Sequence, residues 1–426
     1  MQYRKIHPTQ LFNGYTLLAN HVLVAQEDGT IEAVMPLSEA GEGLEKFDGL
    51  LTPGFINCHC HLELSHMKGK IPERTGLVDF VFNVVTQRRA SEADILAAIA
   101  NAEAAMKVTG IVAVGDICNT AFTLTQKSKG ALRYYNFVEA SGWLPSVSEA
   151  RFEAAKELYE KYERHSSIVN REPVANGRRS TANGSIVPHA PYSVSAALWQ
   201  LLQPYFQSKV VSIHNQETAF EDEFFLHGTG DFGRMYELMK IDNAHHLPTQ
   251  KSSLQSYFDK LSGADKILLV HNTFTKQEDI AFVKQQPAMD ERQPEIENGQ
   301  STQPERTNHK PITTNHQPPT FFCLCPNANQ YIEGALPPVD LFRKNDCNIV
   351  LGTDSLASNW SLSILDEIKT LRKNFPHIPL EEMLRWTTSN GAKALNMDTE
   401  LGSFEKGKKP GAVLIDEAAL DVKKIL

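Results

Sequence analysis

The chain has no apolar run approaching the roughly 18 residues that cross a bilayer. Its start, Met1-Gln2-Tyr3-Arg4-Lys5-Ile6, carries no signal-peptide core. These two absences predict a cytoplasmic protein with no membrane partner. An excess of positive charge is also missing: 42 Lys and Arg against 51 Asp and Glu leave a net charge of -9. That balance offers no general attraction to nucleic acid or anionic lipid. Cysteine is sparse, with six in 426 residues, and reduced thiols are expected where no secretion signal precedes them. Cys323 and Cys325 lack the two-residue gap of a zinc knuckle. Cys58 and Cys60 alternate with two histidines and so face away from them. All six read as packed thiols or as neighbours of a site. No GxSxG marks a serine hydrolase. Gly228-Thr229-Gly230-Asp231-Phe232-Gly233 fits GxGxxG, but it follows the acidic Glu221-Asp222-Glu223 instead of a strand, where a pyrophosphate would be repelled. His61-Leu62-Glu63 lacks the PCxxC partner of the cytidine-deaminase type.

What is present is an ordinary globular composition, 41% apolar and 22% charged, and a length that suits one large domain beside a small one. Eight short apolar runs alternate with helical stretches: 50–57, 111–116, 134–139, 185–189, 210–214, 267–271, 321–326 and 347–354. Continuous apolar runs suit parallel strands buried on both faces. Amphipathic stretches at 91–108, 147–165 and 362–374 supply helices between them. The alternation predicts an α/β protein, a (β/α)8 TIM barrel over residues 51–400, although an open doubly wound sheet uses the same alternation. Nearly every run ends in a group capable of chemistry: His59 and His61, Asp116, Glu139, His189, His214, His271, Asn327 and Asp354. A barrel brings such ends to one mouth.

Short strand candidates at 3–6, 16–18, 21–24 and 31–34, with a hairpin signal at Glu27-Asp28-Gly29-Thr30, predict a small β-sandwich domain. A further strand at 411–415 assigns residues 401–426 to the same domain as residues 1–50. The polar stretch 165–184 reads as an insertion. So does 285–320, rich in Gln, Pro, Asn, Glu and Thr, which cannot bury enough surface to order itself and is expected to be disordered. Its His309 and His316 are read as solvated.

On a strand, residues i and i+2 share a face, so His59 and His61 project side by side as half of a metal site. The plain alternative is two histidines flanking a turn. His214, at another strand end, adds a third imidazole. Asp354 adds a carboxylate, although such a residue commonly caps the next helix. Three imidazoles and one carboxylate leave an open position for water on a first-row metal, which lowers the pKa of that water toward about 7. Glu217 reaches the same space, or serves as a helix N-terminal carboxylate, two compatible roles. His271 is a further ligand or, better, a hydrogen-bonding acid or electrophile beside the metal. His189, stiffened by Pro188 and Pro191, reads as a substrate contact or a structural histidine.

Six motifs in order resemble the amidohydrolase superfamily, in the branch of cytosine and guanine deaminases, adenosylhomocysteine-type deaminases and triazine hydrolases. They are Pro53 to His61, His189-Ala190-Pro191-Tyr192-Ser193, His214 with Glu217, His271-Asn272-Thr273, Cys325-Pro326-Asn327-Ala328-Asn329 and Gly352-Thr353-Asp354-Ser355. The resemblance implies one metal ion, zinc or iron, held by His59, His61, His214 and Asp354. Two-metal members carry a lysine at the end of strand four, and residues 185–193 contain none. It implies hydrolytic deamination of an aminated heteroaromatic ring, a purine, a pyrimidine or a 5'-substituted adenosine. Metal-activated hydroxide would attack the ring carbon. Asp354 and His271 would handle the water proton, while Glu217 would protonate the ring nitrogen. Leu62-Glu63-Leu64-Ser65-His66 is similar to aminodeoxyfutalosine deaminases, which implies that Glu63 and His66 line the substrate pocket. A homodimer is also implied. The same site would serve hydrolysis of a cyclic amide or a C–Cl bond, and loss of the ligands would mark a non-catalytic barrel scaffold.

Overall fold

The computed structural model describes residues 3–169, 184–285 and 318–426, with the side chains of 166–169 excepted. Residues 286–317 of the expected insertion, with His309 and His316, and residues 170–183 of the other polar stretch lie outside the described residues.

The described residues form fifteen strands: β1 (Tyr3–Phe12), β2 (Leu17–Ala19), β3 (His21–Gln26), β4 (Ile31–Pro36), β5 (Leu44–Pro53), β6 (Phe55–Cys60), β7 (Ile111–Cys118), β8 (Arg133–Ala140), β9 (Gly184–Pro188), β10 (Val210–Asn215), β11 (Lys266–His271), β12 (Thr320–Leu324), β13 (Asn348–Leu351), β14 (Ala412–Asp416) and β15 (Asp421–Ile425). Both termini enter one seven-stranded sheet, ordered β15-β14-β5-β1-β3-β4 with β2 on β1. Where the sequence predicted a sandwich, these strands bond as a single sheet. The predicted turn joins β3 to β4: Gly29 takes φ +85° and Asp28 Oδ1 accepts from Thr30 N at 3.0 Å. β15 was not anticipated, because Asp421-Val422-Lys423-Lys424-Ile425 is too polar to read as a buried strand.

The apolar run 50–57 is not one strand. It breaks at Gly54, leaving β5 in the terminal sheet and β6 in the next. A Cβ on Gly54 would lie 2.2 Å from Val112 Cγ1 and 2.7 Å from Pro410 O, so a residue without a side chain lets the chain pass between the two sheets.

The other strands form two parallel quartets, β6-β7-β8-β9 and β10-β11-β12-β13. Helices such as Glu92–Val108, Ser148–Val169 and Ile364–Asn374 lie between the strands in sequence. β6, β9 and β10 are buried throughout, which is why they read as unbroken apolar runs. The quartets are linked at both ends of their order. His214 N donates to His189 O at 3.0 Å, and Ser185 Oγ donates to Val210 O at 2.6 Å. At the other edge Thr353 N and Asp354 N donate to His59 O at 2.9 and 3.0 Å. All six cysteines are free, and five of them are buried. A second apolar cluster, including Met67, Trp143, Tyr192, Phe224, Phe232 and Tyr236, is built from segments that follow the strands. Among the described residues no helix is long and apolar enough to cross a membrane.

Candidate metal centre

β6 delivers the paired histidines as alternation requires. His59 is inaccessible and His61 follows immediately after the strand. Asn57, two residues earlier, ties β6 to the end of β13. Its Nδ2 donates to Thr353 Oγ1 at 2.7 Å and its Oδ1 accepts from Thr353 N at 3.1 Å. Gly352 gives His59 its room, since a Cβ there would stand 2.7 Å from His59 Cβ. Beyond this staple the chain turns at Asp354, φ +56°. Ser358 Oγ donates to Asp354 Oδ2 at 2.6 Å, which leaves Oδ1 for the histidines.

Asp354 Oδ1 lies 3.2 Å from His61 Nε2 and 3.5 Å from His59 Nε2, while the two imidazole nitrogens are 3.2 Å apart. Donors about 2.0–2.2 Å from one cation, at right or tetrahedral angles, stand about 2.8–3.6 Å from each other. The triangle has those dimensions. The ring-nitrogen donors of His59, His61 and His214 lie within 4.8 Å of one another, as do donors of His59, His271 and Asp354. His214 Nδ1 lies 2.8 Å from His189 O, a bond that protonates Nδ1 and leaves Nε2 as the free electron pair. The residues fit one divalent cation, with nitrogen and oxygen donors that suit zinc and iron alike.

The charge states agree with that fit. Burial lowers the pKa of His59 and takes His61 down to about 4, against the pull of Asp354; it lowers His214 and His271 as well. Neutral imidazole is the ligating form. Burial works to raise the Asp354 carboxyl, but the His59 hydrogen bond and the histidines around it hold it well below the usual range.

Glu217 is buried beside this cluster, with Oε1 3.6 Å from His271 Nε2. Burial, with Asp354 and Glu333 nearby, pushes its carboxyl well above the ordinary range, which favours its protonated form. His271 Nδ1 is paired with Asn329 Oδ1 at 2.9 Å, and its Nε2 is buried with no hydrogen-bond partner among the described residues. A neutral ring so tethered presents an unprotonated Nε2 toward Glu217.

His189 joins the group: its ring is 4.7 Å from that of His214 and its Nδ1 pairs with Ser193 Oγ at 2.8 Å. Glu63 and His66, expected to contact substrate, are occupied otherwise. The Glu63 carboxylate accepts from Thr120 Oγ1 at 2.6 Å and from the backbone of Asn119 and Thr120, holding the turn after β7. Both His66 nitrogens face backbone carbonyls, of Glu63 and of Arg88. The GxGxxG stretch follows the helix Phe220–His227, whose end Gly228 caps at φ +73°, so it has no strand to follow. Three neighbours of the site carry no assigned role in the sequence, although Glu139 stands there among the strand-end groups. Glu139 Oε1 is 3.4 Å from His214 Nδ1, Asn329 tethers His271, and Ser358 orients Asp354. Glu139 ends a predicted strand, which was the available signal. Asn329 and Ser358 reach the site only through tertiary contact.

Three likenesses to known proteins bear on this geometry. The chain is 24% identical over 372 residues to an adenosine deaminase of Helicobacter pylori, covering 85% of this chain and 78% of the relative. It is 25% identical over 393 residues to a 5-methylthioadenosine/S-adenosylhomocysteine deaminase of Teredinibacter turnerae, covering 88% and 74%. In fold it is similar to the Helicobacter pylori aminofutalosine deaminase crystallised with methylthio-coformycin, with a TM-score of 0.74, 20% identity and 99% and 98% of the two chains covered. The model of the amidohydrolase family matches residues 50–425, so with its donor cluster, its parallel strands and that match the chain belongs to the amidohydrolase family, as a hydrolase of carbon–nitrogen bonds other than peptide bonds.

Proposed function

We propose that this protein hydrolytically deaminates the purine ring of an adenosine-type nucleoside, with a 5'-substituted adenosine as the substrate class. The observation that carries the proposal is a buried Glu217 carboxyl 3.6 Å from His271, beside a four-residue donor set. The names of the two sequence relatives reported above, an adenosine deaminase and a 5-methylthioadenosine/S-adenosylhomocysteine deaminase, support the ring. The reaction exchanges the ring amino group for oxygen: water adds to the carbon, and the C–N bond breaks to give the oxo ring and ammonia.

His59, His61, His214 and Asp354 would hold the metal. A bound divalent cation supplies Lewis acidity that makes water acidic enough to react at neutral pH. Glu217 would donate its proton to the ring nitrogen, making the neighbouring carbon electron-poor. Asp354 Oδ2, bonded by Ser358, and the unpartnered His271 Nε2 would accept and pass on the proton released by water. His189 would contact the nucleoside, with Glu63, through the turn after β7 that it holds, and His66 lining the pocket wall.

The same reading includes a closed (β/α)8 barrel over residues 51–400, supported by the links at both edges of the quartets. Beside it, residues 1–50 and 401–426 would form a composite domain whose sheet folds over itself as a sandwich. The net charge of -9 favours a free small molecule over a polyanion as partner, and a homodimer completes the proposal. The test is ammonia release from adenosine, 5'-substituted adenosines, guanine and cytosine by protein of measured metal content. Turnover of the adenosines is expected. Fully metallated protein that releases ammonia from none of them would overturn the proposal.

A further inference from the structure

Glu221 is a fully buried carboxylate that the proposed chemistry leaves unused. It stands in the first turn of the helix Phe220–His227. Its Oε1 accepts from Gln216 N at 2.9 Å and from Ser253 Oγ at 2.6 Å, and its Oε2 accepts from Glu217 N at 3.3 Å. Two consecutive backbone N–H groups just beyond β10 therefore end on one side chain. Gln216 has φ +44°, a left-handed conformation that is costly for a residue with a Cβ.

The alternation of a strand shows what this turn achieves. An extended continuation of β10 would set residues 214 and 216 on one face and residue 217 on the other. Glu217 would then point away from the site that His214 faces. A left-handed residue at 216 breaks the alternation and brings Glu217 to within 3.6 Å of His271 Nε2. The Gln216 side chain is held as well, donating to Asp222 Oδ1 and Asp279 Oδ2 at 3.1 and 2.8 Å and accepting from Thr275 Oγ1 at 2.7 Å.

We infer that Glu221 is a positioning residue, whose grip on the N–H groups of Gln216 and Glu217 holds the left-handed turn that aims Glu217 at the reacting ring. Its kinetic meaning rests on the proton-donor reading of Glu217; its geometric meaning does not. In Glu221→Gln the carboxyl group becomes an amide whose nitrogen cannot accept, so one of the two N–H groups loses its partner. A misplacement of about 1 Å costs on the order of a hundredfold in rate, so kcat should fall about tenfold to a hundredfold with KM and metal content unchanged. In a Glu217→Gln background the same change should cost nothing further, because the group it aims is gone. Equal losses in both backgrounds would mark a merely structural role and overturn the inference. Crystal structures of the zinc-loaded wild type and Glu221→Gln decide the geometry whatever the substrate is. An unchanged Glu217–His271 separation overturns the inference, and a lengthened one supports it. Wild-type protein that deaminates nothing refutes the functional proposal alone. Should Glu221→Gln not fold, Ser253→Ala removes one support of the same carboxylate and gives the same readouts at smaller amplitude.

Discussion

The two quartets of strands present their functional side chains in different ways. In the first, His59 stands within β6 and His61 directly after it, at φ -112°, with no left-handed residue between them. In the second, His214 stands within β10, but the other groups stand at left-handed residues or directly beyond one: His271 at φ +72°, Asn272 at +57°, Asp354 at +56°, and Glu217 just after Gln216 at +44°. The first half places its ligands by strand alternation alone. The second adds kinks that local preference opposes and that tertiary hydrogen bonds hold. Strain of this kind, at about 1–3 kcal/mol per residue, persists only where the surroundings over-determine it. Here those surroundings are Glu221, Asn57 and the Ser358 hydroxyl.

The comparison can be broken most severely by removing a ligand from either side. His61→Ala and His214→Ala should each lose the metal and all turnover, read by metal analysis alongside the ammonia assay. If one of the two keeps a full equivalent, the halves do not share one ion. Next in size is Glu217→Gln, which should keep the metal and lose roughly 10²–10⁴-fold in kcat. Near-normal rates from this variant would remove the kinked half from the chemistry. A smaller effect is expected of Asn57→Ala, which removes the donor to Thr353 Oγ1 and one of the two acceptors of Thr353 N–H at the staple between the halves. Unfolding in denaturant should show a loss of about 1–3 kcal/mol, and an unshifted midpoint would show that the staple is dispensable.

The smallest effect lies in pH dependence. Burial pushes Glu367 up to about 8, although Asn327 N and Asn359 Nδ2 bond to its carboxylate at 2.9 and 2.8 Å. Between its ordinary value of 4.5 and about 8 the folded protein keeps a proton that the unfolded chain has released. This contribution to stability is present below pH 4.5 and is lost as the pH rises toward 8. In metal-free protein, Glu367→Gln should therefore flatten the decline of melting temperature with pH across that window. An identical slope in both proteins would contradict this account.

Much of the first half was legible in the chain. Seven of the eight apolar runs lie on β7 to β13 with ends shifted by a few residues, and the first is shared between β5 and β6, because strands buried on both faces need uninterrupted apolar sequence. His59 and His61 were legible for the same reason, since a two-residue period survives any tertiary detail. The break at Gly54 was hidden because the obstruction comes from Val112 and Pro410, distant in sequence. The occupation of Glu63 by Thr120 was hidden likewise: nothing local in Leu62-Glu63-Leu64 says whether a buried carboxylate will face a pocket or a backbone turn.

The sequence by itself determined the alternation of strands and helices, the terminal strands apart from β15, and which residue types stand at the strand ends. Those follow from hydrophobic period and turn chemistry, which act over a few residues. Tertiary structure alone decided that His59, His61, His214 and Asp354 meet, that Asn329 and Ser358 orient their partners, and that Glu217 faces the same space as His214. Each of these depends on a hydrogen bond or a backbone kink supplied from elsewhere in the fold, and no window of local sequence contains the partner.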